Sequence, residues 1–305
     1  MPDDRAPETP NWNINPYDTA FAAIFRKHFA ALRAAHAAQP HEGVLVAAID
    51  SSGVFDAHAH LRLPSSGIAH LVLGRHERCD VVLPRDPDVS LRHLLVRATR
   101  SASGIRLRAI DLRSRVGLIA EDGKRCEAMA ADGPLFMKIG SYTLFLLPTG
   151  PRLAAWSSDP DETWRLFSAC PAEILPPAQP LKSRAAPAPG AVKLATITIQ
   201  SSSPQAGDLT TTHAVWSDQL ERGILVGRDD RCSHGGVDEG NLSRVHLVLL
   251  SVEGEVWGID TASTNGTKVL HGQPFRQIRL SGEVHFLLAD TLHLRWQPMM
   301  LAARA

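Results

Sequence analysis

Gly74-Arg75-His76-Glu77-Arg78-Cys79 returns later in the chain as Gly227-Arg228-Asp229-Asp230-Arg231-Cys232, a shift of 153 positions. Ser90 and His93 return at the same shift as Ser243 and His246. Further along, the shift is 149: Asp111 matches Asp260, Gly117 matches Gly266, Gly123 matches Gly272 and Gly133 matches Gly282. One length change of four residues between His93 and Asp111, expected in the 101–104 turn, reconciles the two shifts. Turn and loop positions that recur in the same order mark two copies of one unit.

The unit reads as β. Residues 44–49, 71–73, 81–83 and 94–98 are short β-type runs divided by Gly, Pro, Ser and Asp, and the pattern resumes from residue 194. Many short strands with closely spaced turn signals indicate an all-β sandwich or barrel. Between the copies stand Pro160, Pro171, Pro176, Pro177, Pro180, Pro187 and Pro189, too dense for regular helix or strand, apart from a short helical piece expected at 162–167. Ahead of the first copy, Phe21, Ile24, Phe25, Phe29 and Leu32 form one stripe of an amphipathic helix, with Asn15-Pro16 as a start signal. The expected layout is a disordered N-terminus at 1–16, an amphipathic helix at 17–40, a first β-sandwich at 41–150, a Pro-rich linker at 151–191 and a second β-sandwich at 192–298. The fold class is all-β, with two antiparallel sandwiches in tandem.

Composition narrows the function. The 305 residues are 44% hydrophobic and 21% charged, ordinary for globular domains, and 32 Lys plus Arg balance 32 Asp plus Glu. Zero net charge leaves no general footprint for nucleic acid or an anionic membrane, so anion recognition has to be local. No run approaches the roughly 18 apolar residues of a membrane span, so no membrane insertion is expected. Cys79, Cys126, Cys170 and Cys232 lie far apart with no CxxC pair, which points to a reduced, cytoplasmic protein without a zinc knuckle.

Three signals fall in order in the second copy: Gly227-Arg228, Ser243-Arg244-Val245-His246 and Thr264-Asn265-Gly266-Thr267. Each is common alone; together, at these separations in a β-rich unit, they resemble the forkhead-associated (FHA) family from about residue 192 to 297. The resemblance implies a sandwich whose loops at one end hold a phosphothreonine peptide, with Arg228, Ser243, Arg244, Thr264 and Asn265 as binding residues and Gly227, His246 and Gly266 as scaffold. The residue types suit the ligand. A phosphothreonine carries about −1.5 to −2 charges and three acceptor oxygens. Arg228 offers a planar fork of donors, Ser243 and Thr264 are short hydroxyls, and Arg244 adds charge or steadies its loop. The Asn265 amide donates and accepts, which by resemblance clamps the ligand's main chain. Gly266 permits the positive φ of an Asn-Gly turn. Preference after the phosphothreonine would be set near Asn241 and 270–275.

The first copy departs from this pattern. It keeps Arg75, Ser90 and His93, but Leu91 stands where Arg244 does and Arg115-Val116-Gly117 replaces Thr264-Asn265-Gly266. Valine cannot clamp a main chain. The copy is read as FHA-like in fold and degenerate as a site, with Arg75, Ser90 and Arg115 as a possible anion set in a changed register.

The expected function is therefore a non-catalytic phosphothreonine-binding adaptor in Ser/Thr-kinase signalling or assembly. Its partners would be threonine-phosphorylated kinase substrates, and no cofactor or metal is expected. The alternatives are a structural interaction protein indifferent to phosphate and a metal-dependent hydrolase at His58 and His60, whose period-2 spacing points both imidazoles to one face. Thr9 and Thr163 are candidate phosphorylation sites within the chain itself. Cys79, Cys232, Trp216, Trp257 and Trp296 read as core or near-core residues.

Overall fold

The computed structural model describes residues 19–150, 156–175, 187–203, 207–234 and 240–299. The expected disordered stretch 1–16, with Thr9, lies outside them. Two β-sandwiches are present, each mostly antiparallel.

In the first sandwich, one sheet runs in the order Phe55–Arg62, Gly43–Ile49, Tyr142–Thr149, Leu135–Ile139, Leu118–Ile119, Arg125–Cys126. Its mate runs Glu173–Leu175, Ala128–Asp132, Gly104–Asp111, Leu94–Ser101, Ile68–Gly74, Val81–Val82. In the second sandwich the corresponding orders are Gly207–Trp216, Lys193–Ser203, Leu292–Pro298, Val284–Leu288, Thr267–Val269, Pro274–Phe275, and then Ile224–Val226, Leu247–Val252, Glu255–Asp260, Gln277–Arg279.

The four-residue length change lies in one hairpin. Leu94–Ser101 and Gly104–Asp111 are eight residues each and close at Ser101 opposite Gly104. Leu247–Val252 and Glu255–Asp260 are six each and close at Val252 opposite Glu255. Each arm has lost two residues, so the pleat keeps every side chain on its own face.

Continuous apolar runs are strands covered on both sides. In Gly43–Ile49, Val44, Val46 and Ala48 face the sandwich core, while Leu45, Ala47 and Ile49 face a second cluster outside it. That outer cluster is built by the helix Ala20–Ala37, which lays Phe21, Phe25, Phe29 and Leu32 onto the sheet. The helix lies inside the expected 17–40; the Thr19 hydroxyl caps it by accepting from Ala22 N at 3.2 Å. By contrast, Leu292–Pro298 alternates strictly, with Leu292, Leu294 and Trp296 buried and His293, Arg295 and Gln297 exposed. That sheet has one wet face.

The stretch expected as linker also contributes structure. Asp159 accepts from Asp161 N and, with Pro160 in the first turn, starts a helix at Pro160–Ser168, whose Trp164 and Phe167 join the outer cluster. Glu173–Leu175 then pairs with Ala128–Asp132 as an edge strand. Phe25 packs within 6.0 Å, centroid to centroid, of Phe29, Phe145, Trp156, Trp164 and Phe167. We expect Phe25→Ala to cost about 3–5 kcal/mol in urea denaturation, since it empties a fully buried ring site.

The sandwiches share a third apolar cluster. Ile68, Val72, Leu95 and Ile110, on the outer face of one sheet, meet Leu225, Val248, Leu250 and Ile259 of the other unit. Polar contacts seal this seam: Arg97 Nη1 donates to Ser251 O at 3.1 Å, His70 Nδ1 lies 2.7 Å from Gln277 Oε1, and Arg276 pairs with Asp80 at 2.9 Å. Cys79 and Cys232 are free, buried and part of the seam, and burial pushes their thiols up to about 11 and about 12. Trp296 is a core ring, and Trp257 packs at the seam. No helix among the described residues is long and apolar enough to cross a membrane.

Candidate functional site

The three motifs of the second copy occupy successive loops at one end of its sandwich. Arg228 follows the strand Ile224–Val226, Ser243 precedes Leu247–Val252, and Thr264-Asn265-Gly266 leads from Glu255–Asp260 into Thr267–Val269. Hydrogen bonds tie them together. Arg228 N donates to Ser243 O at 3.0 Å, Thr264 N donates to Ser243 Oγ at 3.0 Å, and Asn265 Nδ2 donates to Asn241 O at 2.7 Å.

His246 braces this arrangement from below. Its Nδ1 accepts from Ser243 N at 3.2 Å, so the proton sits on Nε2, which donates to Gly266 O at 2.9 Å. Burial, partly offset by Asp260, holds its pKa below the ordinary value, and the ring stays neutral. Asp260 anchors the third loop, accepting from Ser263 N at 2.8 Å, Ser263 Oγ at 2.6 Å and Thr267 Oγ1 at 2.7 Å. Gly227 has no alternative: a Cβ there would lie 2.1 Å from Arg244 O. Gly266 holds φ +76°.

The surface so formed is cationic and rich in donors. Arg228 and Arg244 are exposed, and neither has an ion pair among the described residues. Ser243 is buried, but its hydroxyl accepts from Thr264 N and keeps its own proton to give. The exposed Thr264 Oγ1 receives a hydrogen bond from Arg92 of the first sandwich at 3.3 Å.

The first copy repeats the central bonds of this scaffold. Arg75 N donates to Ser90 O at 3.0 Å, Ser90 N to His93 Nδ1 at 3.1 Å, and His93 Nε2 lies 3.2 Å from Gly117 O. Cys79 Sγ and Cys232 Sγ each donate to the carbonyl of the residue after the motif serine, Leu91 at 3.3 Å and Arg244 at 3.2 Å. Arg113 and Ala262, equivalent positions, both adopt the left-handed region at φ 56° and 59°. The side chains at the loop tips differ. Arg75 Nε turns back to Val89 O at 2.6 Å, and Arg115 reaches Asp88 at 3.5 Å. Valine at 116 has nothing to donate.

His58 and His60 are engaged elsewhere: His58 stacks on Phe55 at 5.4 Å, and His60 Nε2 lies 2.8 Å from Thr149 Oγ1. No group of three His, Cys, Asp or Glu side chains able to hold a metal gathers among the described residues. Thr163 is fully buried, its hydroxyl donating to Asp159 O at 3.0 Å and accepting from Ser157 N at 3.1 Å, so a kinase cannot reach it in the folded chain. Sequence reasoning passed over Arg92, because its repeat equivalent is Val245 and no motif includes it.

Acid should loosen this scaffold. Burial pushes His70, His93 and His234 down to about 4. Below about pH 6.5 the unfolded chain takes up protons that the folded chain refuses, so stability falls as pH drops from 6.5 toward 4. Asp111, pushed up to about 6 by burial, works in the opposite sense and returns part of that loss between about 6 and 4. Three histidines against one aspartate give a net loss. We expect the urea midpoint to be clearly lower at pH 4.5 than at pH 7; equal midpoints would contradict these buried neutral rings.

The FHA domain family model matches residues 71–131, in the first copy. Solved structures similar to the chain include the Mycobacterium tuberculosis Rv1747 FHA-1 domain (21% identity, 34% of this chain, 97% of that chain, TM-score 0.27). They also include the FHA domain of the CT664 protein from Chlamydia trachomatis (19% identity, 34% and 96%, TM-score 0.28). A third is the N-terminal FHA domain of Rad53p from S. cerevisiae (19% identity, 35% and 94%, TM-score 0.28). No curated protein matches the sequence. The family match falls on the copy in which Arg115-Val116 replaces Thr264-Asn265, so the match does not depend on those two residues. What the comparisons give is a match of residues 71–131 to the FHA domain family model.

Proposed function

We propose that the chain is a non-catalytic adaptor whose second sandwich is also an FHA domain and binds threonine-phosphorylated proteins made by a Ser/Thr kinase. One observation carries this reading: three loops tied by the bonds from Arg228 N to Ser243 O and from Thr264 N to Ser243 Oγ present, at one end of a sandwich, two hydroxyls and two guanidiniums that have no ion pair among the described residues. A doubly charged phosphate with three acceptor oxygens matches those donors. The Rad53p domain was solved in complex with a phosphothreonine peptide, which agrees with the same ligand class here.

In this reading Arg228 and Arg244 supply charge, Ser243 and Thr264 donate to phosphate oxygens, and Asn265 holds the peptide backbone with the amide valences left after its bond to Asn241 O. The first sandwich, with Arg75 and Arg115 turned to Val89 and Asp88, serves as support. Buried, unpaired thiols at positions 79, 126 and 232 fit a reduced compartment, which we take to be the cytoplasm.

The test is a calorimetric titration of the full chain with a phosphothreonine peptide and its unphosphorylated form. Micromolar binding of the first alone is expected. Equal affinity for both would favour a structural interaction protein in which phosphate has no part.

A further inference from the structure

The two copies differ inside the second sandwich as well as at its loops. Counted across the ladders, Leu146 pairs with Val46 and Val46 with Ala59, while Trp296 pairs with Ile197 and Ile197 with His213. His213 therefore stands where the first copy has Ala59. His234 bridges Val226 as Val81 bridges Leu73, so it stands where the first copy has Val81. Ala59 and Val81 pack into the apolar core of their sandwich. Their replacements put two imidazoles 4.3 Å apart, centroid to centroid, and His234 Nδ1 is buried with no hydrogen-bond partner among the described residues. An apolar pair would serve a core better than an unpartnered ring nitrogen.

The pair sits at the root of the loop that carries Arg228. His234 N donates to Leu225 O at 3.1 Å, Gly227 N donates to His234 O at 3.4 Å, and Leu225 N donates to Ser233 Oγ at 3.3 Å. These bonds close the loop onto Ile224–Val226, and Arg228 follows directly. The first copy holds the same place with two ladder positions, Leu73 opposite Val81 and Gly74 opposite Val82; the second has one. The ladder partners of the two rings, Ile197 and Val226, are apolar core residues. Burial lowers the pKa of both rings, that of His234 to about 4, and His213 is the one titratable group that lowers His234 further. No carboxylate among the described residues raises either ring; Asp229, in the same loop, is held by Arg231 at 2.6 Å.

We propose that His213 and His234 are an acid-released latch, which closes the loop carrying Arg228 while both rings are neutral and frees it when either takes a proton. A proton on one ring leaves a charge beside core residues with no carboxylate to offset it. A released ring regains an ordinary pKa near 6.5, so release is favoured as pH falls from about 6.5 toward 4. At about pH 5 the shift of His234 alone favours release by on the order of 10-fold. The consequence for a ligand rests on the proposed function of these loops and deepens it. Phosphopeptide binding at Arg228 weakens in acid beyond what protonation of the phosphate, near pH 6, accounts for.

Hydrogen exchange read by mass spectrometry tests the latch in the full chain, without ligand, at pH 7 and at about pH 5, with rates corrected for the intrinsic effect of pH. In the wild type, protection of the amides in 225–234 should fall by on the order of 10-fold on acidification. The variant His213→Ala/His234→Val, which installs the first copy's residues, should keep that protection at both pH values. His234→Gln, which cannot take a proton, should also keep it and covers the case in which the double change disturbs packing. An equal loss of protection in the wild type and both variants overturns the latch, as does an unchanged wild type. Loosening at pH 7 on addition of EDTA overturns it too, and assigns the rings to a metal ion. Calorimetry with a phosphothreonine peptide then compares the three proteins at both pH values. Phosphate protonation is common to all and cancels in the ratio, so the wild type should lose several-fold more affinity in acid than either variant. An equal loss in all three overturns the link from latch to ligand. If no phosphopeptide binds at pH 7, the proposed function fails, while exchange still decides the latch.

Discussion

If the proposed pocket binds phosphothreonine, Arg228→Ala in the full chain is expected to lower affinity for a phosphothreonine peptide by on the order of 100-fold or more, with an unchanged melting temperature. The size follows from the contacts at stake: a bidentate guanidinium gives two charge-assisted bonds, and bonds to charged groups are worth roughly 1.5–3 kcal/mol each. The unchanged stability follows from the local structure. The Arg228 side chain is exposed and has no partner among the described residues, while the backbone bond from its N to Ser243 O survives the substitution. Arg228→Lys should restore only part of the binding, since an ammonium supplies the charge without the planar fork. Isothermal calorimetry beside a thermal melt reads both quantities. Binding by Arg228→Ala at wild-type strength would remove this guanidinium from the pocket.

Arg92→Ala is the second large effect, and it crosses from one sandwich to the other. The guanidinium is buried at the seam, donates twice to Ala262 O and reaches Thr264 Oγ1. Ala262 holds φ 59°, a left-handed conformation that a residue with a Cβ adopts at a cost, and the grip on its carbonyl steadies that turn. Truncation leaves a buried carbonyl without its partner, at roughly 1–3 kcal/mol, plus the lost packing of the side chain. We expect a lower urea midpoint and several-fold weaker phosphopeptide binding, although no residue of the three motif loops has changed. Denaturation and calorimetry on the same variant separate the two. Unchanged stability would mean that the seam does not depend on this contact; reduced stability with unchanged affinity would confine Arg92 to holding the units together.

Much of the architecture was legible because it rests on local chemistry. Gly227 and Gly74 are readable as fixed points because the strand passes so close to the next loop that a Cβ would meet Arg244 O at 2.1 Å or Leu91 O at 2.3 Å. The helix stripe was legible at 3.6 periodicity, and its cover was implicit in residues 44–49: an uninterrupted apolar strand has to be buried on both faces. The alternation of Leu292–Pro298 said the reverse. The helix at Pro160–Ser168 was only glimpsed, since proline density masked the Asp159-Pro160 start that favours a first turn.

The seam had a weaker signal. Val72, Leu95, Val248 and Leu250 point away from their own cores, which a sequence shows only as apolar residues out of phase with their neighbours. Nothing in the chain says that these two outward faces meet each other.

The sequence by itself determined two sandwiches, their repeat, the hairpin that shortens between them and the residue types of one set of candidate binding loops, because strand periodicity, turn chemistry and motif spacing are written within a few dozen residues. Only the tertiary structure decided that Arg92 of one unit touches Thr264 of the other and that Ser90 and Arg244 share a cavity. Those contacts join positions 172 and 154 residues apart, brought together by burying apolar faces that have no direction of their own.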